Sequence, residues 1–483
     1  MTARRLEDGL AGVILFARNI ASTQDLARLC AAIREIKPDA LIALDEEGGE
    51  VTRLEAATGS SWPGARVLGV VDDPGLTERA GRQIARALAQ VGANVNLAPV
   101  ADVATCARNP VIGNRSFGED SALVARHVAA FVRGTQGEGV AACAKHFPGH
   151  GATTVDSHLD LPVVDLDLAT LLADHVAPFA AAVRAGAAML MTAHVLYPCL
   201  DDRPATASRA ALHDLARREL GFDGVIATDA LTMGAIARHL GVAAGAIAAL
   251  GAGADLLCLD GDCRQQDEVI AGLRRALSGG ELALVRVQEA SERVAGLAEA
   301  YAPTEVSTGA AAGTPGATAP ATQVRAGHVP ATARATGLEA ARRALASGPL
   351  PGPLPAAPYV VEATTARTGV GDVHSRLLDA LRRRDPSAQG MAFTADGVPS
   401  AATVLRAAGE RPLVIGSRDA HRRPAQESLI ADLLAARPDA VLVGLGSAAD
   451  GALAAGRFIP ARGAAPPNVD AVAEVLLPRV GIN

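Results

Sequence analysis

The sequence predicts an α/β protein: a (β/α)8-type barrel that lacks its first strand, followed by a smaller α/β domain. Three observations carry the prediction. Up to about residue 300, short apolar runs alternate with segments whose apolar residues recur at helical spacing. From 302 to 336 the sequence becomes "APTEVSTGAAAGTPGATAPATQVRAGHVPATARAT", which has almost nothing to bury and reads as a flexible linker. Strand and helix signals then resume to the C-terminus. At roughly 100 to 200 residues per domain, the 483 residues divide into a barrel at 1–300, a linker at 301–337 and a second domain at 338–483.

Taken in order, the barrel strands are "GVILFAR" at 12, "LIALDEEGG" at 41, "NVNLAPVADV" at 94, "VAACAKHFPG" at 140, "AAMLMTAHV" at 187, "GVIATDALTM" at 224 and "GADLLCLDGD" at 253. Each is a near-continuous apolar run, as a strand buried on both faces requires. Between them, "STQDLARLCAAIREI" and "SRAALHDLARREL" open on a serine able to cap the first turn. A closed barrel of this type needs eight strands, and seven are counted. The chain starts on helix-like "ARRLEDGL", so the absent strand is expected ahead of the first. In the second domain, strands are expected at "PYVVEAT", "MAFTA", "PLVIGSRDA" and "DAVLVGLGS". "LVGLGS" lacks the third glycine and later acid of a phosphate-binding loop and reads as a strand end with a turn.

The net charge of −7 and the absence of a Lys/Arg run argue against nucleic acid as a partner and favour a small neutral ligand. No apolar run has the length of a membrane span, and the start lacks a leader pattern. The expected location is therefore cytoplasmic, without a membrane partner. The six cysteines lack paired spacing and read as reduced core residues.

In such barrels chemistry sits at the C-terminal ends of the strands. Here these ends carry Asp45 and Glu46, Asp102, Lys145 and His146, His194, Asp229 and Asp260, and convergent ionisable groups mark sites. In "KHFPGHG", His146 and His150 have the i, i+4 spacing of a helical metal pair. Pro148 and Gly149 between them forbid the helix, so no metal is expected. A rigid loop presenting Lys145 and His146 as donors fits better. Asp156, two residues before His158, can fix the imidazole's tautomer and raise its basicity, as a general acid/base requires. Asp229 ends an apolar strand and, on spacing alone, could serve as nucleophile, metal ligand or structural acceptor.

In order along the chain, "GVILFARNI", "DEEGGEVTRL", "NLAPVADV", "IGNRSFGED", "KHFPGHGATTVDSHLDLP", "MTAHVLYP" and "LGFDGVIATDALTM" resemble the bacterial β-N-acetylglucosaminidases of glycoside hydrolase family 3. The resemblance runs from about residue 10 to 300, and for residues 338–483 it implies an α/β sandwich. It implies a retaining exo-glycosidase with Asp229 as nucleophile and His158 with Asp156 as acid/base dyad on a mobile loop. Asp45, Arg53, Arg115, Lys145 and His146 would hold the terminal sugar, with Arg115 and Phe117 as candidates for its acetamido group. The implied substrate is a small carbohydrate with terminal N-acetylglucosamine, from cell-wall fragments or chitooligosaccharides, and no cofactor is implied. Two features depart from the family: Ala230 replaces a second aspartate, and a strand ahead of "GVILF" is lacking. Phosphorolysis by the same residues is an alternative, because a histidine that has donated its proton is neutral and lets phosphate approach. A non-catalytic sugar-binding protein with a truncated barrel is another.

Overall fold

A computed structural model describes residues 2–303, 331–364, 376–454 and 456–478. Seven parallel strands form the first sheet in chain order: β1 (Gly12–Ile14), β2 (Leu41–Leu44), β3 (Val95–Asn96), β4 (Ala141–Phe147), β5 (Met189–Thr192), β6 (Val225–Ala230) and β7 (Leu256–Cys258). Each expected apolar run of this half holds one. Alternation decides which side chains meet, because successive residues of a strand point to opposite faces. Leu41, Ala43, Ala141, Cys143, Met189, Met191, Val225 and Ala227 pack into an interior cluster. Their neighbours Ile42, Leu44, Ala142, Ala144, Leu190 and Ile226 pack outward. Burying each large aliphatic side chain contributes roughly 1.5–3 kcal/mol, so a one-residue slip in register would forfeit both layers.

The helix Leu284–Ala300 sends Leu297 and Ala298 into the interior cluster, and Asn94 Nδ2 donates to the carbonyl of Tyr301 at 3.1 Å. β1 and β7 are the edges of the sheet. Side chains from either edge meet, with Arg18 Nη2 2.6 Å from Asp260 Oδ1 and Arg5 paired with Asp267. The expected serine caps are present. Ser22 Oγ accepts from Asp25 N at 3.1 Å ahead of the helix Thr23–Ile36, and Ser208 Oγ accepts from Ala211 N at 3.1 Å where a π-helical segment, Ala210–Glu219, begins. Cys30, Cys143 and Cys258 are buried free thiols.

Of the stretch expected as linker, residues 304–330 lie outside those described. Residues 331–337 are helical, opening the helix Ala331–Leu345. Alanine is the best helix former, and Ala333 and Ala340 bury against the barrel's outer core. The second sheet is parallel throughout, with β8 (Tyr359–Ala363), β9 (Gln389–Phe393), β10 (Leu413–Ser417), β11 (Val441–Gly444) and β12 (Phe458–Pro460) in the order β12-β11-β10-β8-β9. Apolar clusters cover both of its faces. β12 was not foreseen. After β11, Ser447 N donates to Asp419 Oδ1 at 2.8 Å, closing a turn over "GLGS".

The second domain grips barrel loops rather than barrel helices alone. Arg418, itself buried, pairs with Glu50, Asn114 Nδ2 donates to Gly446 O at 2.9 Å, and Arg422 Nη1 donates to Asn109 O at 2.6 Å. Among the described residues no helix is long and apolar enough to cross a membrane.

Candidate active site

The first wall of the barrel mouth is built by "DEEGGE". Past the end of β2, Asp45 and Glu47 turn to one side and Glu46 to the other. Glu46 Oε2 accepts the backbone N–H groups of Arg53 at 2.8 Å and Leu54 at 3.0 Å, while burial pushes its carboxyl up to about 7. Gly48 and Gly49 follow with φ of +83° and +65°. A Cβ on Gly49 would stand 2.7 Å from Gly64 Cα, so only glycine allows this close approach.

Lys145, near the end of β4, is nearly fully buried between the two acids, its Nζ 2.8 Å from both Asp45 Oδ1 and Glu47 Oε1. Arg53 Nη2 lies 3.2 Å from Asp45 Oδ2, and Arg115 grips Glu47 bidentately through Nε at 2.9 Å and Nη2 at 2.7 Å. Burial alone would raise the Asp45 carboxyl, but Lys145 and Arg53 outweigh it and hold it well below the usual range. Glu47 is held at about 2 in the same way by Arg115 and Lys145. Burial would lower Lys145, and the two carboxylates raise it instead.

The second wall is "KHFPGHG", in which the Lys145–His146 and Phe147–Pro148 peptide bonds are cis. Asp102 organises it. Its Oδ2 is 2.7 Å from His146 Nδ1, and its Oδ1 accepts the backbone N–H of His150 at 2.6 Å. Both ring nitrogens of His150 are engaged, Nδ1 with Thr153 Oγ1 and Nε2 with Ser157 Oγ, each at 2.9 Å. Burial lowers its pKa to about 4, so the ring is neutral at pH 7. Among the described residues no group of three or more His, Cys, Asp or Glu is arranged for a metal ion.

Across the mouth, Asp229 lies in β6, one residue before its end. Burial raises its carboxyl, but the imidazoles of His146 and His194, the Ala230 N–H at 2.7 Å and His158 together hold it below the ordinary value. His194, following β5, is fixed by Thr206 Oγ1 at 2.7 Å and the Ala230 carbonyl at 3.0 Å. His158 Nδ1 is 2.8 Å from Asp156 Oδ1, and this hydrogen bond raises the imidazole's pKa despite burial. The dyad loop docks on the segment after β6, with Gly234 N donating to His158 O at 3.0 Å and Ala235 N to Ser157 O at 3.1 Å.

Asp45, Arg53, Arg115 and Lys145 thus form one ion-pair network with Glu47, His146 joins the second wall through Asp102, and His158, held by Asp156, lies within electrostatic reach of Asp229. Asp102 and His194, marked in the sequence as strand-end ionisable groups without a role, and His150, weighed there only as a metal partner of His146, are integral members, as is Glu47, which the sequence did not single out. One expectation fails: Phe117 is buried and stacked on His127 with ring centroids 5.3 Å apart, so it faces the core and not a ligand. Asp260, two residues past the end of β7, pairs with Arg18 at 2.6 Å.

Residues 4–297 match the model of the glycosyl hydrolase family 3 N terminal domain. The beta-hexosaminidase of Pseudomonas aeruginosa is 40% identical over 270 residues, covering 55% of this chain and 80% of that protein. That of Methylococcus capsulatus is 41% identical over 248 residues, covering 51% and 74%. The solved structure of a family 3 beta-N-acetylglucosaminidase from Paenibacillus sp. str. FPU-7 superposes with a TM-score of 0.88 at 32% identity, covering 99% of this chain and 93% of that one. With the family model matching more than half its length, the chain belongs to glycosyl hydrolase family 3 and is a glycoside hydrolase acting on O-glycosyl bonds.

Proposed function

We propose that the protein is a retaining exo-β-N-acetylglucosaminidase that removes terminal N-acetylglucosamine from cell-wall muropeptide fragments or chitooligosaccharides. The observation that carries the reading is the opposite tuning of two electrostatically coupled groups. Surrounding imidazoles hold Asp229 below the ordinary carboxylate range, while the hydrogen bond to Asp156 raises His158 above the ordinary imidazole value. A nucleophile must be ionised and a general acid protonated at the same pH, and this tuning favours both.

In the proposed cycle the Asp229 carboxylate attacks the anomeric carbon as His158 protonates the departing oxygen, giving a covalent glycosyl-enzyme. Nδ1 faces Asp156, so Nε2 is the nitrogen that delivers the proton. His158, now neutral, takes a proton from water, which attacks the same carbon and releases the sugar with its configuration retained. Asp45, Arg53, Arg115, Lys145 and His146 bind the hydroxyl and acetamido groups. Their mutual ion pairs pre-organise donors and acceptors, which lowers the ordering cost of binding. The names of the similar bacterial enzymes support the substrate class.

Water is the favoured acceptor over phosphate. Lys145, Arg53 and Arg115 each pair with Asp45 or Glu47, and Asp102, Asp156 and Asp229 add further acidic groups around the mouth. A phosphate dianion approaching this mouth meets an excess of acids.

The test compares kcat/KM for 4-nitrophenyl β-N-acetylglucosaminide and the matching β-glucoside, with products identified in phosphate buffer. The reading requires cleavage of the first, a loss of roughly 100-fold or more on the second, and free N-acetylglucosamine as product. Sugar 1-phosphate would instead support phosphorolysis. Binding without turnover would leave only a sugar-binding protein.

A further inference from the structure

The loop that carries Asp156 and His158 contains no helix or strand, so its position depends on individual tethers. One series of them leads out of the barrel. His150 Nε2 meets Ser157 Oγ at 2.9 Å, between the two dyad residues. The His150 carbonyl and Thr153 Oγ1 both accept from Asn109 Nδ2, at 2.8 Å and 3.1 Å. Asn109 is buried, and its Oδ1 accepts Val111 N at 2.9 Å and Ile112 N at 2.7 Å, so each of its side-chain polar atoms is committed. The backbone carbonyl of Asn109 accepts Arg422 Nη1 of the second domain at 2.6 Å. Arg422 is in turn oriented by Asp419 Oδ2, 2.7 Å from Nη2. His421, the preceding residue, reaches the carbonyl of Ala107 at 3.1 Å while Asp450 holds its other nitrogen at 2.8 Å.

We infer that Arg422 is a positioning residue for the acid/base loop, acting from the second domain through Asn109, His150 and Ser157. The inference rests on the reading of His158 as general acid. It assigns the second domain a part in catalysis although, among the described residues, that domain places no side chain on the proposed reacting atoms. The consecutive residues His421 and Arg422 fix two carbonyls of one short segment, and Asn109 within that segment carries the only side-chain donor linking it to His150 and Thr153 among the described residues. A displacement at Arg422 therefore arrives at Ser157 and changes where His158 Nε2 points. The neutral state of His150 suits this role. In the neutral ring one nitrogen donates and the other accepts, matching the hydroxyls of Thr153 and Ser157 in either tautomer, and protonation of the ring would break that arrangement.

The experiment uses the full chain with Arg422→Ala, Arg422→Lys, Ser157→Ala and the Arg422→Ala/Ser157→Ala double variant. Arg343→Ala, which removes a different interdomain ion pair to Asp73, is the control. Each is assayed on an activated dinitrophenyl and a poor alkyl β-N-acetylglucosaminide. The inference predicts that Arg422→Ala and Ser157→Ala each lower kcat on the alkyl glycoside roughly 10-fold, a fraction of the roughly 10²- to 10⁴-fold supplied by general acid catalysis, while the activated substrate changes less than about 3-fold. It also predicts partial recovery in Arg422→Lys and a double variant no worse than either single one, because both break the same series. Equal losses on both substrates, the same pattern in Arg343→Ala, or additive losses in the double variant would overturn it. If Arg422→Ala does not fold, Arg422→Lys and Ser157→Ala still decide the outcome. His158→Ala separates the two levels. Without a leaving-group-dependent loss in that variant the acid/base reading itself fails; with one there and none in Arg422→Ala, only the positioning role fails.

Discussion

His158 Nδ1 stands 2.8 Å from Asp156 Oδ1, and the same oxygen accepts the backbone N–H of His158 at 2.9 Å. The carboxylate therefore fixes both the ring and the chain that bears it. Because its charge favours the imidazolium, it moves the histidine above its ordinary value. Asp156→Asn keeps the shape and removes the charge, so the imidazole loses its proton at lower pH. The basic limb of the kcat/KM profile should shift to lower pH on a poor leaving group. An unmoved limb would show that another group controls it.

Lys145 links Asp45 to Glu47 at 2.8 Å on each side with almost no exposure. Removing one member of a buried network strands the others. Lys145→Met should cost about 3–5 kcal/mol in urea unfolding and abolish saturation by N-acetylglucosaminides. Full stability with weak binding would show that the network serves the ligand alone.

Gly234 touches the dyad loop so closely that a Cβ there would lie 2.4 Å from the Leu159 carbonyl oxygen and 2.8 Å from that of His158. The φ of this residue is not in the left-handed region, so Gly234→Ala is not barred by its backbone. The added methyl pushes the loop away. The expected result is a loss of kcat of roughly 10-fold or more on poor leaving groups, with a smaller loss on activated ones, read by steady-state kinetics.

Glu50 joins the domains, its carboxylate paired with Arg418 and accepting Ala464 N at 3.2 Å. Glu50→Ala leaves the buried guanidinium without this partner. A loss of about 3–5 kcal/mol is expected, measured by denaturant unfolding, and no loss would mean that water enters readily between the domains.

Much of this arrangement was legible because strands buried on both faces leave an unmistakable apolar run. "AACAKHF" and "MLMT" could hardly be anything else. β12 escaped notice since "FIP" follows Arg457, ends in proline and is three residues long, too short for any period to show. The acid triplet at 45–47 illustrates a different limit. Sequence marks Asp45 and Glu46 as strand-end groups and passes over Glu47, and only the turn after β2 sends the first and third of these acids toward Lys145 while the second satisfies backbone donors. His150 was weighed only as a metal partner of His146. Its actual role depends on Ser157 and Thr153 folding back over it, which helical spacing cannot reveal. Arg422 lies more than 250 residues beyond the loop it reaches, and such a contact becomes visible only when the two domains are seen together.

The central claim is that Asp229 forms a bond to the sugar. It is tested most directly by trapping that bond with a 5-fluoro N-acetylglucosaminyl fluoride, whose fluorine slows formation and breakdown of the intermediate while its good leaving group lets the intermediate accumulate. Intact mass should rise by one glycosyl unit, peptide mapping should place it on the segment containing "ATDALTM" at Asp229, and Asp229→Ala should acquire no label. A label on any other residue, or turnover of the reagent with retained configuration and no covalent adduct, would contradict the account.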